Sequence, residues 1–199
     1  YAMFDDLFEP ATKRDGAEIM QALRQAARER ILILDGAMGT QIQGLGFHEE
    51  HFRGQRFIGC ACHQQGNNDL LILTQPDAIE DIHYRYAKAG ADILETNTFS
   101  STSIAQADYE MEKAVYDLNR AGGLLVRRGA LRAEREDGKR RFVAGAIGPT
   151  NRTASIPPDV NNPGYRAVTF DDLRLAYGEQ LDGLIDGGAD IILIETIFD

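Results

Sequence analysis

The heptapeptide Gly90-Ala91-Asp92-Ile93-Leu94-Glu95-Thr96 returns, two residues longer, as Gly188-Ala189-Asp190-Ile191-Ile192-Leu193-Ile194-Glu195-Thr196. In each copy a glycine precedes a small residue, an acid, an aliphatic run and the pair Glu-Thr. A continuous apolar run without polar alternation suits a parallel strand covered on both faces. Two further runs have that character: Ile31-Leu32-Ile33-Leu34, which leads into Asp35-Gly36, and Phe142 to Ile147, which is broken by Gly148-Pro149. Strand starts near 31, 92, 141 and 190 are about 50 to 60 residues apart, with helical pattern in every interval. This is a β/α repeat. In eight-stranded barrels the side chains of alternate strands fill the same layers, so an echo between the second and fourth strands favours an α/β fold of the (β/α)8 TIM-barrel type. Four β/α units make up about the first half of such a barrel. No dinucleotide fingerprint follows any strand, since Gly36-Ala37-Met38-Gly39 lacks the spacing.

The intervals read as follows. Ile19, Met20, Leu23, Ala26 and Ala27 give a helical period before the first strand. Pro76 opens a helix that runs to Ala89 and stops at Gly90. Residues 102 to 135 are helical in composition and close in the charged run Arg132 to Arg140, read as an exposed helix end and turn. A last helix spans Phe170 to Asp186, with Asp171 and Asp172 in its first turn. Residues 36–70 and 148–169 read as long polar loops, of the kind that carry function or are disordered. The expected organisation is an N-terminal extension over 1–15, with Tyr1-Ala2 before Met3 as an added remnant, and a half-barrel domain over 16–199.

With 199 residues, 43% of them hydrophobic, the chain can bury a substantial core. A net charge of −10 argues against a nucleic-acid partner or an anionic membrane surface. No apolar run is long enough to span a bilayer, and no basic segment precedes an apolar one at the start. Cys60 and Cys62 are separated by one residue, too close for an unstrained disulfide. Reduced thiols and a cytoplasmic location are expected.

Three of the four strands deliver an acid at their carboxyl ends: Asp35, Glu95 and Glu195. Ligands gather at that end of parallel strands. Asn97 and Asn151 add amides, and Gly36 and Gly39 let backbone approach a ligand. Such acids suit acid/base work, a divalent cation or a substrate ammonium group, and the residues alone leave these open, alongside simple helix capping. Cys60-Ala61-Cys62-His63 lacks usual zinc spacing and reads as plain loop. His48 and His51 are scattered, and His83, within a helix, reads as a surface or satisfied core histidine.

Several long segments also carry a family resemblance: Asp35-Gly36-Ala37-Met38-Gly39-Thr40, Lys88 through Phe99, Gly145 through Thr153, and Leu193-Ile194-Glu195-Thr196, with Gly66-Asn67-Asn68-Asp69 and Ile104 through Tyr109 as further matches. From about residue 20 onward the chain resembles the amino-terminal homocysteine-binding (homocysteine S-methyltransferase) module of the cobalamin-dependent methionine synthases. The resemblance implies a barrel in which zinc holds homocysteine sulfur as the thiolate and methylcobalamin methylates it to methionine. The cobalamin-carrying and methyltetrahydrofolate-binding modules would lie on the same polypeptide. Zinc has a clear use, because a free thiol near pKa 8.5 is mostly protonated at neutral pH. By the same resemblance Asp35 and Glu195 accept hydrogen bonds from the homocysteine ammonium, while backbone near Gly36, with Asn97 and Thr98, faces the rest of the amino acid. The family's three zinc cysteines come from later strands, beyond Asp199. The expectation is therefore a module that binds neither zinc nor cobalamin itself, contains no catalytic residue, is inactive alone, and self-associates through open strand edges. The alternatives are another barrel enzyme, of pterin-binding or magnesium-dependent lyase type, and a non-catalytic half-barrel.

Overall fold

A computed structural model describes residues 14–199 of the chain. The expected N-terminal extension, with its Tyr1-Ala2 remnant, lies outside the described residues through residue 13. Helix α1 (Gly16–Glu29) starts at Asp15, whose carboxylate accepts the Ala17 N–H. The extended segment 31–35 follows, then α2 (Met38–Gly44), α3 (Glu49–Arg53), α4 (Leu71–Thr74) and α5 (Pro76–Ala89). Strand β1 (Ile93–Glu95), α6 (Ser103–Gln106), α7 (Val115–Asp137), β2 (Phe142–Ile147), α8 (Phe170–Asp186) and β3 (Ile191–Ile194) complete the order. The three strands form one parallel sheet in the order β1-β2-β3, with Glu95 level with Ala144 and Ile147 level with Ile194. Helices return the chain between strands, as parallel pairing requires.

Ile31 to Leu34 is not the doubly covered strand that its composition implies. It runs parallel to β1 through a single bridge, Leu34 to Ile93, and Ile31 is 86% exposed. Only its β1 side is paired among the described residues, so burial falls on the middle strand instead. All six residues of β2 are buried. β3 is half-covered, with Ile194 68% exposed. Residues 36–70 are likewise not one long loop, since α2, α3 and a 3-10 turn at Asn68–Leu70 divide them.

The echoed aspartates set the strand register. Asp92 takes the Ile33 N–H on its carboxylate at 2.9 Å while its own N–H donates to Ile33 O, and Arg30 closes the carboxylate with two bonds of 2.5 Å. Asp190 repeats this one strand along: its carboxylate accepts the Val143 N–H, its N–H donates to Val143 O, and Arg14 and Arg127 cover it. Each acid thus satisfies the amide at the start of the neighbouring strand, and an arginine offsets the cost of burying its charge.

Helix α7 lies between α5 and α8. Backbones approach so closely at the α8 end that a Cβ on Gly187 would sit 2.4 Å from Arg120 O, and one on Gly123 would sit 2.7 Å from Gly187 O. On the other side the charged run 132–140 is bonded rather than simply solvated. Arg132 stacks 4.0 Å over Tyr84 and pairs with Glu80, Glu136 takes the Tyr84 hydroxyl, and Arg140 pairs with Glu18. The next residue, Arg141, is fully buried on Asp137 and Ala87 O.

His83 departs from both expectations. It is fully buried on α5, and neither ring nitrogen has a hydrogen-bond partner among the described residues. Burial pushes its pKa down to about 3. The unfolded chain therefore binds a proton near pH 6.5 that the folded chain refuses, so stability is present above that pH and is lost as pH falls. At pH 5 the loss amounts to about 2 kcal/mol. His83→Met should remove it, narrowing the difference in unfolding free energy between pH 7 and pH 5 by about that amount; urea unfolding of both proteins at the two pH values measures this.

Candidate functional site

At the carboxyl end of the sheet a cavity of about 320 Å³ is lined by Asp35, Glu95 and Glu195, with Gly36, Ala37 and Met38 on one side and Thr96, Asn97 and Phe99 on another. The three acids arrive from three neighbouring segments. Asp35 is tied to β1 twice: its N–H donates to Ile93 O at 3.0 Å and its Oδ1 accepts the Glu95 N–H at 2.8 Å. Glu95 ends β1 and Glu195 follows β3, where its N–H donates to Ile147 O. Two residues with left-handed backbone flank the cavity, Ala37 (φ 52) and Thr196 (φ 57). Thr196 is β-branched, for which this conformation is costly, and such strain tends to collect at functional sites.

Asp35 and Glu95 are far from their ordinary titration range. Burial pushes the Asp35 carboxyl up to about 7, against the pull of the Glu95 N–H. Glu95 is pushed up to about 8, first by burial, then by a hydrogen bond with the Glu195 carboxyl, and then by the negative charge of Glu195 and Asp35. A cavity that holds carboxyls in this state has an unmet demand for positive charge, and such shifts cluster at working sites.

Of the residues expected to meet a substrate, Asp35, Gly36, Asn97 and Glu195 line one cavity, and Asn97 also donates to Asn68 O at 2.9 Å. Thr98 does not face it. Its side chain is fully buried, with its hydroxyl donating to Ala146 O at 2.9 Å and paired with Thr96 Oγ1 at 2.6 Å. Asn151 sits on the surface, bonded to Asp108. Glu95, which the sequence marks as a strand-end acid, proves central, because its backbone orients Asp35 and it lines the cavity together with Glu195.

The loops behind the cavity rest on residues that no strand pattern reveals. Buried Asp69 accepts the Ser100 N–H and the Ser101 hydroxyl, with its pKa pushed up to about 6 by burial. Asn67 and Gln106 exchange a reciprocal pair of amide hydrogen bonds at 2.8 and 3.1 Å. The segments 66–69 and 104–109 thus meet in space and brace the chain leaving β1.

Zinc finds no ready seat here. Among the described residues no three His, Cys, Asp or Glu side chains are arranged to hold a metal. Cys60 and Cys62 are free thiols away from the cavity lining; Cys62 Sγ donates to Asp108 O, and Cys60 Sγ accepts from Gln64 Nε2.

A family model described as homocysteine S-methyltransferase matches residues 32–199. Among solved structures, the metallated form of the homocysteine methyltransferase MmuM from Escherichia coli is similar at a TM-score of 0.66 and 21% identity, over 88% of this chain and 57% of that one. The oxidized form gives 0.63 at 19% identity, over 90% of this chain and 56% of that one. The chain therefore spans a little over half the length of these proteins. At such identity the likeness bears on fold: an α/β arrangement with parallel strands, consistent with part of a β/α barrel.

The raised Asp35 pKa carries a stability cost whose sign is fixed. The folded state keeps the proton up to about pH 7 while the unfolded carboxyl loses it near pH 4, so the contribution is whole below pH 4 and is lost as pH rises toward 7. Asp35→Asn, which keeps an acceptor for the Glu95 N–H, should raise the melting temperature more at pH 8 than at pH 5, as thermal denaturation at both values would record.

Proposed function

The chain belongs to the homocysteine S-methyltransferase family, and on that premise we propose that it recognises the amino-acid end of homocysteine in the three-acid cavity, as part of an enzyme that methylates the homocysteine sulfur to methionine. One observation carries the reading: within the family-matched span, the acids Asp35 and Glu195 line a common cavity at the carboxyl end of the sheet. A substrate ammonium is the group this cavity lacks. Asp35 meets it pre-oriented, because the Glu95 N–H already fixes its Oδ1 and little rearrangement is needed on binding. Glu195 approaches from the β3 side, and Asn97 with the Gly36 backbone supplies polar contacts for the carboxylate end.

The finer identity is part of the same proposal. We assign residues 16–199 to the first four β/α units of a (β/α)8 barrel, in the homocysteine-binding module of a cobalamin-dependent methionine synthase that works in the cytoplasm. Support comes from the echoed strands, the two free thiols, and the segments 66–69 and 104–109. Among the described residues no helix is long and apolar enough to cross a membrane. Zinc and cobalamin enter the proposal as groups of the intact enzyme, together with its cobalamin-carrying and methyltetrahydrofolate-binding modules. The described residues do not fit a zinc site, so no step is routed through the metal.

Two measurements test this reading. Glu195→Gln should weaken homocysteine roughly tenfold or more, the worth of a charge-assisted hydrogen bond at about 1.5 to 3 kcal/mol, while leaving 4-mercaptobutyrate, which lacks the amino group, almost untouched. Equal losses for both thiols would make Glu195 a structural acid. The second concerns the outer edges of 31–34 and β3, which pair with no further strand among the described residues and where Ile31, Ile33 and Ile194 are exposed. Such edges pair with other chains. Sedimentation at micromolar concentration should therefore show self-association, and a single monomeric species would refute it.

A further inference from the structure

Gln180 on α8 is fully buried, and its side chain reaches the end of the sheet that carries the cavity. Its Nε2 donates to Thr98 O at 2.8 Å and to Ala146 O at 3.3 Å, so one amide nitrogen ties the chain leaving β1 to the end of β2. Neither carbonyl depends on it for a partner: Thr98 O also accepts the Ser101 N–H at 3.2 Å, and Ala146 O the Thr98 hydroxyl at 2.9 Å. The Gln180 Oε1, meanwhile, is buried with no hydrogen-bond partner among the described residues. Turning the amide over would set that oxygen against two carbonyls, so the unpartnered acceptor comes with the two bonds that Nε2 makes. Such an acceptor is destabilising, and an apolar side chain of the same length would avoid it. Satisfying backbone groups therefore does not explain an amide here. What it supplies is position.

Position matters at this point because of the side chains that alternate through it. Asn97 and Phe99 line the cavity, while the Thr96 and Thr98 hydroxyls bond one another at 2.6 Å behind it. The Thr96 N–H still reaches Ala144 O at 2.9 Å; two residues on, the Gln180 amide takes over and grips the carbonyl next after Asn97. About one turn earlier on α8, Tyr177 donates to Gly148 O at 3.1 Å, and the Gly148 N–H donates to Phe99 O at 3.2 Å. One helix thus holds this wall of the cavity at two consecutive residues. Asn97 spends one of its two amide hydrogens on Asn68 O, which leaves the other for a ligand. We propose that Gln180 is a positioning residue of the cavity: from α8 it fixes the Thr98 carbonyl, and through it the Asn97 amide that meets the substrate carboxylate. This rests on the reading that the cavity binds the amino-acid end of homocysteine. Asp35 and Glu195 have other supports, the first on Ile93 O and the Glu95 N–H, the second on Ile147 O. The two polar ends of the substrate are therefore held independently, and only the carboxylate end depends on Gln180.

The test titrates the 199-residue chain calorimetrically with L-homocysteine and with 3-aminopropane-1-thiol, which is homocysteine without its carboxylate. Gln180→Met, similar in length and without the donor, should weaken L-homocysteine roughly tenfold, the worth of a hydrogen bond to a charged group, and change 3-aminopropane-1-thiol by about twofold or less. Asn97→Ala should show the same split. Adding Gln180→Met to Asn97→Ala should then cost L-homocysteine nothing further, because the amide that Gln180 positions is already gone. Gln180→Glu is the conservative rescue: at pH 6 a glutamic acid so deeply buried keeps its proton and can donate an O–H to Thr98 O, so affinity for L-homocysteine should return close to that of the wild type at the same pH. Melting curves taken alongside establish which variants fold, and Gln180→Glu decides the matter should Gln180→Met not fold. Equal losses for both ligands in either Gln180 variant, or undiminished L-homocysteine affinity in Gln180→Met, would overturn the positioning role while leaving the reading of the cavity standing. If neither ligand binds the wild-type chain, the functional reading falls together with this inference.

Discussion

Everything at the carboxyl end of the sheet depends on two buried aspartates at its other end. Asp92 and Asp190 each take an amide from the neighbouring segment and return an N–H to the same residue, which locks strand against strand at one register. In a parallel pair a shift of one residue would carry every side chain to the opposite face. Glu95 would then leave the cavity, and Asp35 would lose the N–H that orients it. Arg30, Arg14 and Arg127 make this lock tolerable, because a buried carboxylate without a cation would be strongly destabilising. The chain thus places acids in two ways: with arginines where strands are locked together, and without them, among the described residues, where they line a cavity.

That contrast explains why the cavity is costly to the fold. The Asp92 and Asp190 side chains are more deeply buried than the half-buried Glu95, but each has a charged partner. Asp35 and Glu95 have none among the described residues, and burial raises their pKa values. Nothing in the packing of the sheet requires this arrangement. An amide or an apolar residue at either position would fill the space without the penalty, so stability alone does not account for three acids here. The proposed recognition of a substrate ammonium would account for it.

Local signals in the sequence were sufficient where the physics is local. Pro76 at the first turn and Gly90 at φ 113 bound α5 at the residues expected. Thr169, which caps α8 through a reciprocal pair of bonds with Asp172, does the same for that helix. Strand coverage is not local. Ile31 to Leu34 and Phe142 to Ile147 are comparably apolar, yet the first is exposed and the second fully buried, because one lies at an edge and the other between two strands. The burial of His83 and Thr98 is not local either. A histidine on an amphipathic helix gives no sign of which side α7 will cover, and the alternation through Thr96-Asn97-Thr98 does not tell which side chain turns inward. The brace between Asn67 and Gln106 lies 39 residues apart in the chain and follows no period.

The echo that identifies the fold is also where equal sequence ends in unequal structure. Thr96 and Thr196 both follow the strand-end glutamate. Thr96 is buried, and its hydroxyl accepts the Ala146 N–H and meets Thr98, which in turn donates to Ala146 O. These side chains continue the ladder past the last backbone rung of β1, so the segment stays on the sheet and Glu95 is held at a fixed height. Thr196 has no such neighbour on its outer side among the described residues, is exposed, and turns the backbone to φ 57. Glu195 is accordingly borne on a strand end that leaves the sheet, while Glu95 is borne on one that cannot. Of the strand-end acids that line the cavity, one is thus held at a fixed height and the other stands beside a turning backbone, so the cavity can change width on its β3 side without disturbing the sheet.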